Sequence, residues 1–367
     1  MNKRLSFITI FLLAAGSTLV AFYFQSKKID YSNFIPTKER IETSNLIIKD
    51  SAYKELGVMN IEKVFNPYFL FVDYPLHFIF DLSNFKMFMF DATGKFMRSF
   101  FSSGRSPHEI MMGKFTKKPV NRYLSYADRQ NLRISVINPY QYPDTVITVK
   151  LDFIPDAAIR INDSLYVVRS TDTDSALCIV SSKGKILKQF CSFSNFNLDK
   201  KAVQKSPMIA VIYQGGLCCG DSSVLIYNTY GSRMLLYSFT GHLKASYDLP
   251  KHIKIPEGVA ISKGKSTSYS LSGDEPIVNL DVTMNESYVF ALYSGVIPNK
   301  LSSFKDMVAA VNGNIINVFQ RNTGKYLFSF QLPCFASSID VDGDCLFAVT
   351  NVNDDEQTKV YRLKLLF

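Results

Sequence analysis

Tryptophan is absent from the 367 residues, histidine occurs 4 times and cysteine 6 times. Each scarcity removes a class of function. His77, His108, His242 and His252 are scattered, and neither an HExxH pair nor a GxSxG elbow occurs, so no zinc-protease helix or hydrolase serine is encoded. Cys178, Cys191, Cys218, Cys219, Cys334 and Cys345 make no CxxC pair and no metal-like spacing with histidine, which excludes a disulfide framework and leaves them as small core residues. In a hairpin turning at Gly184, Cys178 falls opposite about residue 189, out of register with Cys191. Dense arginine stripes with interleaved aromatics are missing too. The formal charge is +9, but Lys3, Arg4, Lys27 and Lys28 are unopposed in the first 28 residues, so the remainder carries +9 − 4 = +5. A domain so mildly basic argues against a nucleic-acid partner.

Phenylalanine (30) and tyrosine (20) are plentiful, and 47% of the chain is hydrophobic, ample for a core that buries most of its surface. Aromatic and β-branched enrichment of this kind suits short strands stacked in layers. The chain therefore reads as all-β.

Residues 1–28 read as a signal peptide or signal anchor. Leu5 to Phe24 carries no charge and is flanked by Lys3, Arg4, Lys27 and Lys28. Twenty helical residues span about 30 Å, the thickness of a bilayer core. The small residues around Gly16 to Ala21 equally permit cleavage. Lipid attachment needs a cysteine just after the apolar run, and none precedes Cys178. Either reading places the rest of the chain outside the cytoplasm, in the periplasm or at the cell surface. Residues 29–44 read as a linker and 45–367 as one folded domain.

Two words recur in that domain. The first is a hairpin with glycine at its turn: MFMFDATGKFMRSF (Met87 to Phe100), CIVSSKGKILKQF (Cys178 to Phe190), LLYSFTGHLKASY (Leu235 to Tyr247) and VFQRNTGKYLFSF (Val318 to Phe330). The second is a polar turn followed by a strand, at Asn66-Pro67, Asn121-Arg122, Asn162-Asp163, Gly220-Asp221, Asn285-Glu286 and Asp342-Gly343. A fixed order of two words at intervals near the length of a four-stranded blade predicts a six-bladed β-propeller. Five or seven blades remain compatible with words so short, and a two-domain β-sandwich would explain the strands but not their order. The last unit stops one strand short, and Leu46 to Ile48 is expected to supply the missing strand and remove an open edge.

MFMFDATGKFMRSF followed by SSGRSPHEI resembles the TolB-like six-bladed propeller proteins of bacteria. These combine an export signal with a strand, an Asp-x-x-Gly-Lys turn and a loop resembling Gly-x-Gly-Pro-Gly-Glu. Gly104, Pro107 and Glu109 keep the pattern, while Ser106 and His108 replace glycines, so the loop is shaped differently here. The resemblance implies a binding or sensory module and carries over no catalytic residue.

Candidate binding residues are Arg105, His108 and Glu109, concentrated in the loop Ser103 to Glu109. The competing structural role is that Glu109 and Ser106 satisfy loop amides. The run DVDGD around Gly343 lacks the calcium-loop spacing and reads as a tight turn. Two insertions, Lys251 to Pro276 and Val296 to Gly313, are further contact candidates. No metal, cofactor or catalytic residue is assigned. The leading expectation is a monomeric, non-enzymatic binding module for a protein or carbohydrate partner, touching the membrane through residues 1–28 if these are uncleaved. The alternative is a metal-dependent hydrolase or lactonase with its ligands gathered at the central channel.

Overall fold

The computed structural model describes residues 46–118, 122–141, 145–196, 212–250, 253, 258–263, 266–271, 274, 276–297, 311–350 and 358–367. The segments expected as export signal (1–28) and linker (29–44) lie outside the described residues. Among the described residues no helix is long and apolar enough to cross a membrane.

Six four-stranded antiparallel sheets account for most of the chain. Blade 1 comprises Pro67–Asp73, Leu76–Asp81, Lys86–Phe90 and Phe96–Phe100. Blade 2 comprises Gly113–Phe115, Leu124–Asp128, Arg133–Ile137 and Val146–Lys150; blade 3 comprises Ala157–Arg160, Leu165–Arg169, Leu177–Ser181 and Ile186–Phe190. Blade 4 runs from Gly215–Gly220 through Ser223–Asn228 and Met234–Ser238 to Leu243–Tyr247. Blade 5 runs from Asn279–Met284 through Tyr288–Tyr293 and Gly313–Gln320 to Tyr326–Ala336. Blade 6 takes Ser338–Asp342, Cys345–Thr350 and Thr358–Leu365, with Tyr53–Ile61 as its fourth strand. The first strands of the blades meet around the axis.

Each blade is apolar on both faces, so alternate residues feed two cores. In blade 1, Phe69, Phe71, Phe78 and Phe80 pack against Phe115, Leu124 and Tyr126 of blade 2. Their neighbours Leu70, Val72 and Ile79 pack against Phe347, Val349 and Val360 of blade 6. Six such clusters, one per pair of adjacent blades, close the ring. This explains why second strands such as Leu124–Asp128 and Ser223–Asn228 are buried throughout, while the outermost strand Ile186–Phe190 is exposed except at Phe190.

The ring closes through an N-terminal strand, but not through Leu46 to Ile48. Tyr53–Ile61 pairs antiparallel with Thr358–Leu365, with Tyr53 opposite Leu365 and Ile61 opposite Thr358. As an outermost strand it is mostly exposed, and its apolar residues Tyr53, Leu56, Val58, Met59 and Ile61 follow no strict alternation, so hydrophobic patterning marks it poorly. The more apolar Leu46 to Ile48 instead runs beside the outer strand of blade 5, where Ser329 N donates to Ile47 O and Lys49 N to Ser329 O, both at 2.7 Å.

The expected glycine hairpins are present, and they join third and fourth strands. Gly94, Gly184, Gly241 and Gly324 all have positive φ, and each hairpin carries a register shift just before its turn. Two need glycine twice over: an added Cβ would stand 2.0 Å from Lys150 O at Gly184 and 1.9 Å from Ser246 O at Gly324. In both cases that oxygen belongs to the outer strand of the preceding blade. The polar-turn word precedes the second strand in blades 2 to 6, but Asn66-Pro67 instead leads into the first strand of blade 1, whose corresponding turn is at the cis peptide Tyr74-Pro75. Gly343 sits in a tight turn between Asp342 and Cys345. Cys178 pairs with Gln189, and all six cysteines are free thiols, five of them buried.

Candidate functional site

In these up-and-down sheets, connections between blades and connections between second and third strands emerge on one side, termed here the linker face. The other connections form the turn face. The loop Ser103 to Glu109 joins blades 1 and 2. The insertion Lys251 to Pro276 joins blades 4 and 5, and Val296 to Gly313 joins the second and third strands of blade 5. The strand ends that all three connect therefore lie on the linker face. Within the first insertion, Gly258–Lys263 and Ser266–Leu271 form a separate antiparallel hairpin.

The Ser103 to Glu109 loop is held from several sides. Ser102–Ser103 pairs in parallel with Glu109–Ile110, and Gly104 N donates to Ile110 O at 3.2 Å. The Glu109 carboxylate accepts the Ser106 amide at 2.8 Å, and Glu109 N returns a bond to Ser106 O at 3.0 Å. The Ser106 amide holds the Glu109 carboxyl below its ordinary range. An added Cβ at Gly104 would stand 2.2 Å from Glu109 Oε2, so a larger residue there would displace the carboxylate that holds the Ser106 amide.

Beneath the loop lies Arg133, only 6% exposed. Its guanidinium donates to Arg105 O at 2.9 Å, to Ser106 O at 2.8 Å and to Glu109 O. Asn131 Nδ2 reaches Gly104 O at 3.2 Å and Asp128 Oδ2 at 2.8 Å, while Arg133 Nε lies 3.5 Å from the same carboxylate. Of the three expected residues, Glu109 is committed to the loop's own backbone, whereas Arg105 and His108 are exposed beside Pro107.

Arg133, Asn131 and Asp128 were not anticipated from sequence. A signal existed: blade 1 carries the same Asp-x-x-Asn word at the end of its second strand. There Asp81 accepts Asn84 Nδ2 at 2.8 Å and the amides of Phe65, Asn66 and Ser83.

Around the axis the inward carboxylates are already engaged. After Phe115 the chain leaves blade 2 and reaches the first strand of blade 4, where Cys219 N donates to Lys117 O at 3.1 Å. The Lys117 ammonium, from a residue 2% exposed, lies 2.5 Å from Asp281 Oδ2, 3.0 Å from Ser338 Oγ and against Ile339 O. Burial pushes the Asp281 carboxyl up, opposed by Lys117 and by hydrogen bonds from Ser338 and Ile339. Asp340 accepts Val72 N at 2.8 Å and Thr283 Oγ1 at 2.6 Å, with Lys118 Nζ at 3.8 Å. Among the described residues no three His, Cys, Asp or Glu side chains gather as a metal site.

No protein-family model matches the sequence, and no curated relative matches it. Solved structures share its architecture. A protein of Bacteroides fragilis described as exported matches with a TM-score of 0.54 at 12% identity, over 88% of this chain and 97% of that one. Virginiamycin B lyase from Staphylococcus aureus matches with a TM-score of 0.48 at 11% identity, over 86% and 100% of the two chains. At such identity the likeness is one of fold, and the protein is a six-bladed β-propeller.

Proposed function

We propose that the protein is a non-enzymatic, TolB-like binding module, exported or held at the membrane through residues 1–28, which engages a protein or carbohydrate partner as a monomer. The supporting observation is the Ser103 to Glu109 loop. Arg133, Asn131 and Glu109 fix its backbone, while Arg105 and His108 remain exposed on the face where both long insertions begin and end. A pre-organised loop loses little conformational freedom on binding. The Arg105 guanidinium has a planar fork of donors suited to carboxylates and sugar hydroxyls.

A channel hydrolase has weaker support. Lys117 stands where a cation bound to Asp281 would have to sit, and Lys118 faces Asp340.

The test is capture of a partner by the purified protein, comparing wild type with Arg105→Ala. Capture should fall while stability stays within about 0.5 kcal/mol, as for an exposed residue. Undiminished capture moves the contact away from this loop, and an unfolded variant makes Arg105 a structural tie.

A further inference from the structure

Other buried arginine and lysine side chains lie beside carboxylates: Lys117 by Asp281, Arg133 by Asp128 and Arg160 by Asp163. Arg169 does not. It ends the second strand of blade 3 on the linker face, is 1% exposed, and points toward blade 4, where its Nη2 donates to the carbonyl of Tyr213 and its guanidinium carbon lies 5.0 Å from the Tyr213 ring centroid. Nε has no hydrogen-bond partner, and among the described residues no carboxylate comes within ion-pair distance.

A guanidinium taken out of water without a counter-charge is costly. Among the described residues the guanidinium meets a carbonyl and a ring face in place of a carboxylate. Asp156 is the nearby acid, its backbone N donating to Arg169 O at 2.8 Å, but its Oδ1 is turned to Arg129 Nε at 3.5 Å and its Oδ2 is unpartnered. A further cation approaches from blade 2, where Lys114 Nζ donates at 3.0 Å to Gly215 O, two residues beyond Tyr213. Among the described residues, Lys114 and Arg129 of blade 2 add positive charge to the elements bordering Arg169, alongside the carboxylates of Asp156 and Asp172. Nη2 already serves the Tyr213 carbonyl, so the unpartnered Nε is the donor left to meet an oxygen of a carboxylate or phosphate.

We propose that Arg169 is the anion-recognising residue of a small-molecule site on the linker face between blades 3 and 4, and that its ligand presents a carboxylate or phosphate oxyanion. The site is separate from the Ser103 to Glu109 loop and does not depend on the reading of that loop.

Thermal unfolding of the purified full-length protein in potassium acetate or potassium phosphate, against potassium chloride at equal ionic strength, tests the proposal. A ligand that binds only the folded state raises the melting temperature saturably. The expected result is a saturable rise with at least one anion. Arg169→Met should abolish it while staying folded in chloride, Arg169→Lys should weaken the apparent affinity at least tenfold, and Arg105→Ala should leave it unchanged. A response to acetate alone identifies a carboxylate ligand, and one to phosphate alone a phosphate ligand. Three results overturn the proposal: no saturable rise with either anion, an equal rise in Arg169→Met, or loss of folding in both Arg169 variants, which would make Arg169 a tie to the Tyr213 carbonyl.

Discussion

On the turn face, blades 1, 3 and 4 close their outer hairpins in the same way: the amide of Asp91, Ser181 or Ser238 donates to the carbonyl four residues on, and the glycine between them donates back. Blade 5 repeats this with one residue more. On the linker face, the connections between blades range from the single residue Ser337 to the span 248–278. The difference has a physical cause. Gly94, Gly184, Gly241 and Gly324 press on the preceding blade, so a change there disturbs two sheets at once, whereas linker-face loops run over the surface and can vary without breaking the core. The repeated architecture is therefore written on one face and the individuality on the other.

The comparison breaks most completely if the ring can stay open. Removing residues 1–61 strips the outer strand from blade 6, exposing Thr358–Leu365 and emptying part of the cluster between blades 6 and 1. Cooperative unfolding, followed by circular dichroism, is expected to disappear. A cooperative transition in this truncation would mean that five intact blades and a three-stranded sixth suffice.

Gly324→Val should be the most damaging point change, costing about 4 kcal/mol or more, because it combines a disallowed φ with a backbone clash across blades. Gly343 separates the two causes. Its φ is +57°, yet an added Cβ would meet nothing within 4 Å, so Gly343→Ala should cost only about 1 kcal/mol. Equal losses in chemical denaturation would show that φ alone makes the turn-face glycines necessary.

Arg133 gives the corresponding test on the linker face. Arg133→Met leaves Asp128 without its guanidinium and three loop carbonyls without a donor, an expected loss of about 3 kcal/mol. Trypsin should then cut at Arg105 faster than elsewhere in the domain. Uniform cleavage would mean that the loop is part of the same cooperative unit as the blades.

His77 reports on the seam between blades 1 and 6, where it is buried with its ring against Phe347. Burial pushes its pKa down to about 4; the nearby Asp91 carbonyl opposes this slightly, but neither ring nitrogen makes a hydrogen bond. The unfolded chain, with an ordinary value near 6.5, takes up a proton that the folded chain refuses. Stability is thus fully present above about pH 6.5 and falls as pH drops toward 4, by about 2.5 kcal/mol at pH 4.5 from this residue alone. His77→Phe should remove that part of the slope, and an unchanged pH profile would show the ring already protonated or hydrated in the fold.

How much was legible in the sequence follows from the same contrast. Gly94, Gly184, Gly241 and Gly324 exposed the blade repeat because one backbone geometry recurs with one residue type able to adopt it. The closing strand was missed because Tyr53–Ile61 faces solvent, and blade 1 was read one strand out of phase because its inner turn uses Tyr74-Pro75 in place of a polar pair. In the candidate site, Arg105 and His108 were visible as a local concentration of charge. Arg133 and Arg169 were not, since an arginine inside an apolar strand looks the same in sequence whether it grips a loop, pairs with an acid or stands alone.

Apart from the Gly343→Ala control, the smallest expected effect concerns Leu46 to Lys49, the segment whose apolar character pointed to ring closure. Ile47 and Ile48 are exposed at 61% and 47%, and two backbone hydrogen bonds tie the segment to Ser329. Lys49 Nζ adds a cation–π contact 4.7 Å from the Phe328 ring centroid. Exposed backbone bonds contribute little net stability, and a surface cation–π contact adds about 0.5–1 kcal/mol. Leu46 is half-buried against the cluster between blades 4 and 5, so deleting residues 45–49 should cost about 2 kcal/mol and lower the melting temperature by a few degrees. A loss of several kcal/mol would give this strap a share in closing the ring, making blade 5 as well as blade 6 a seam that the N-terminal region seals.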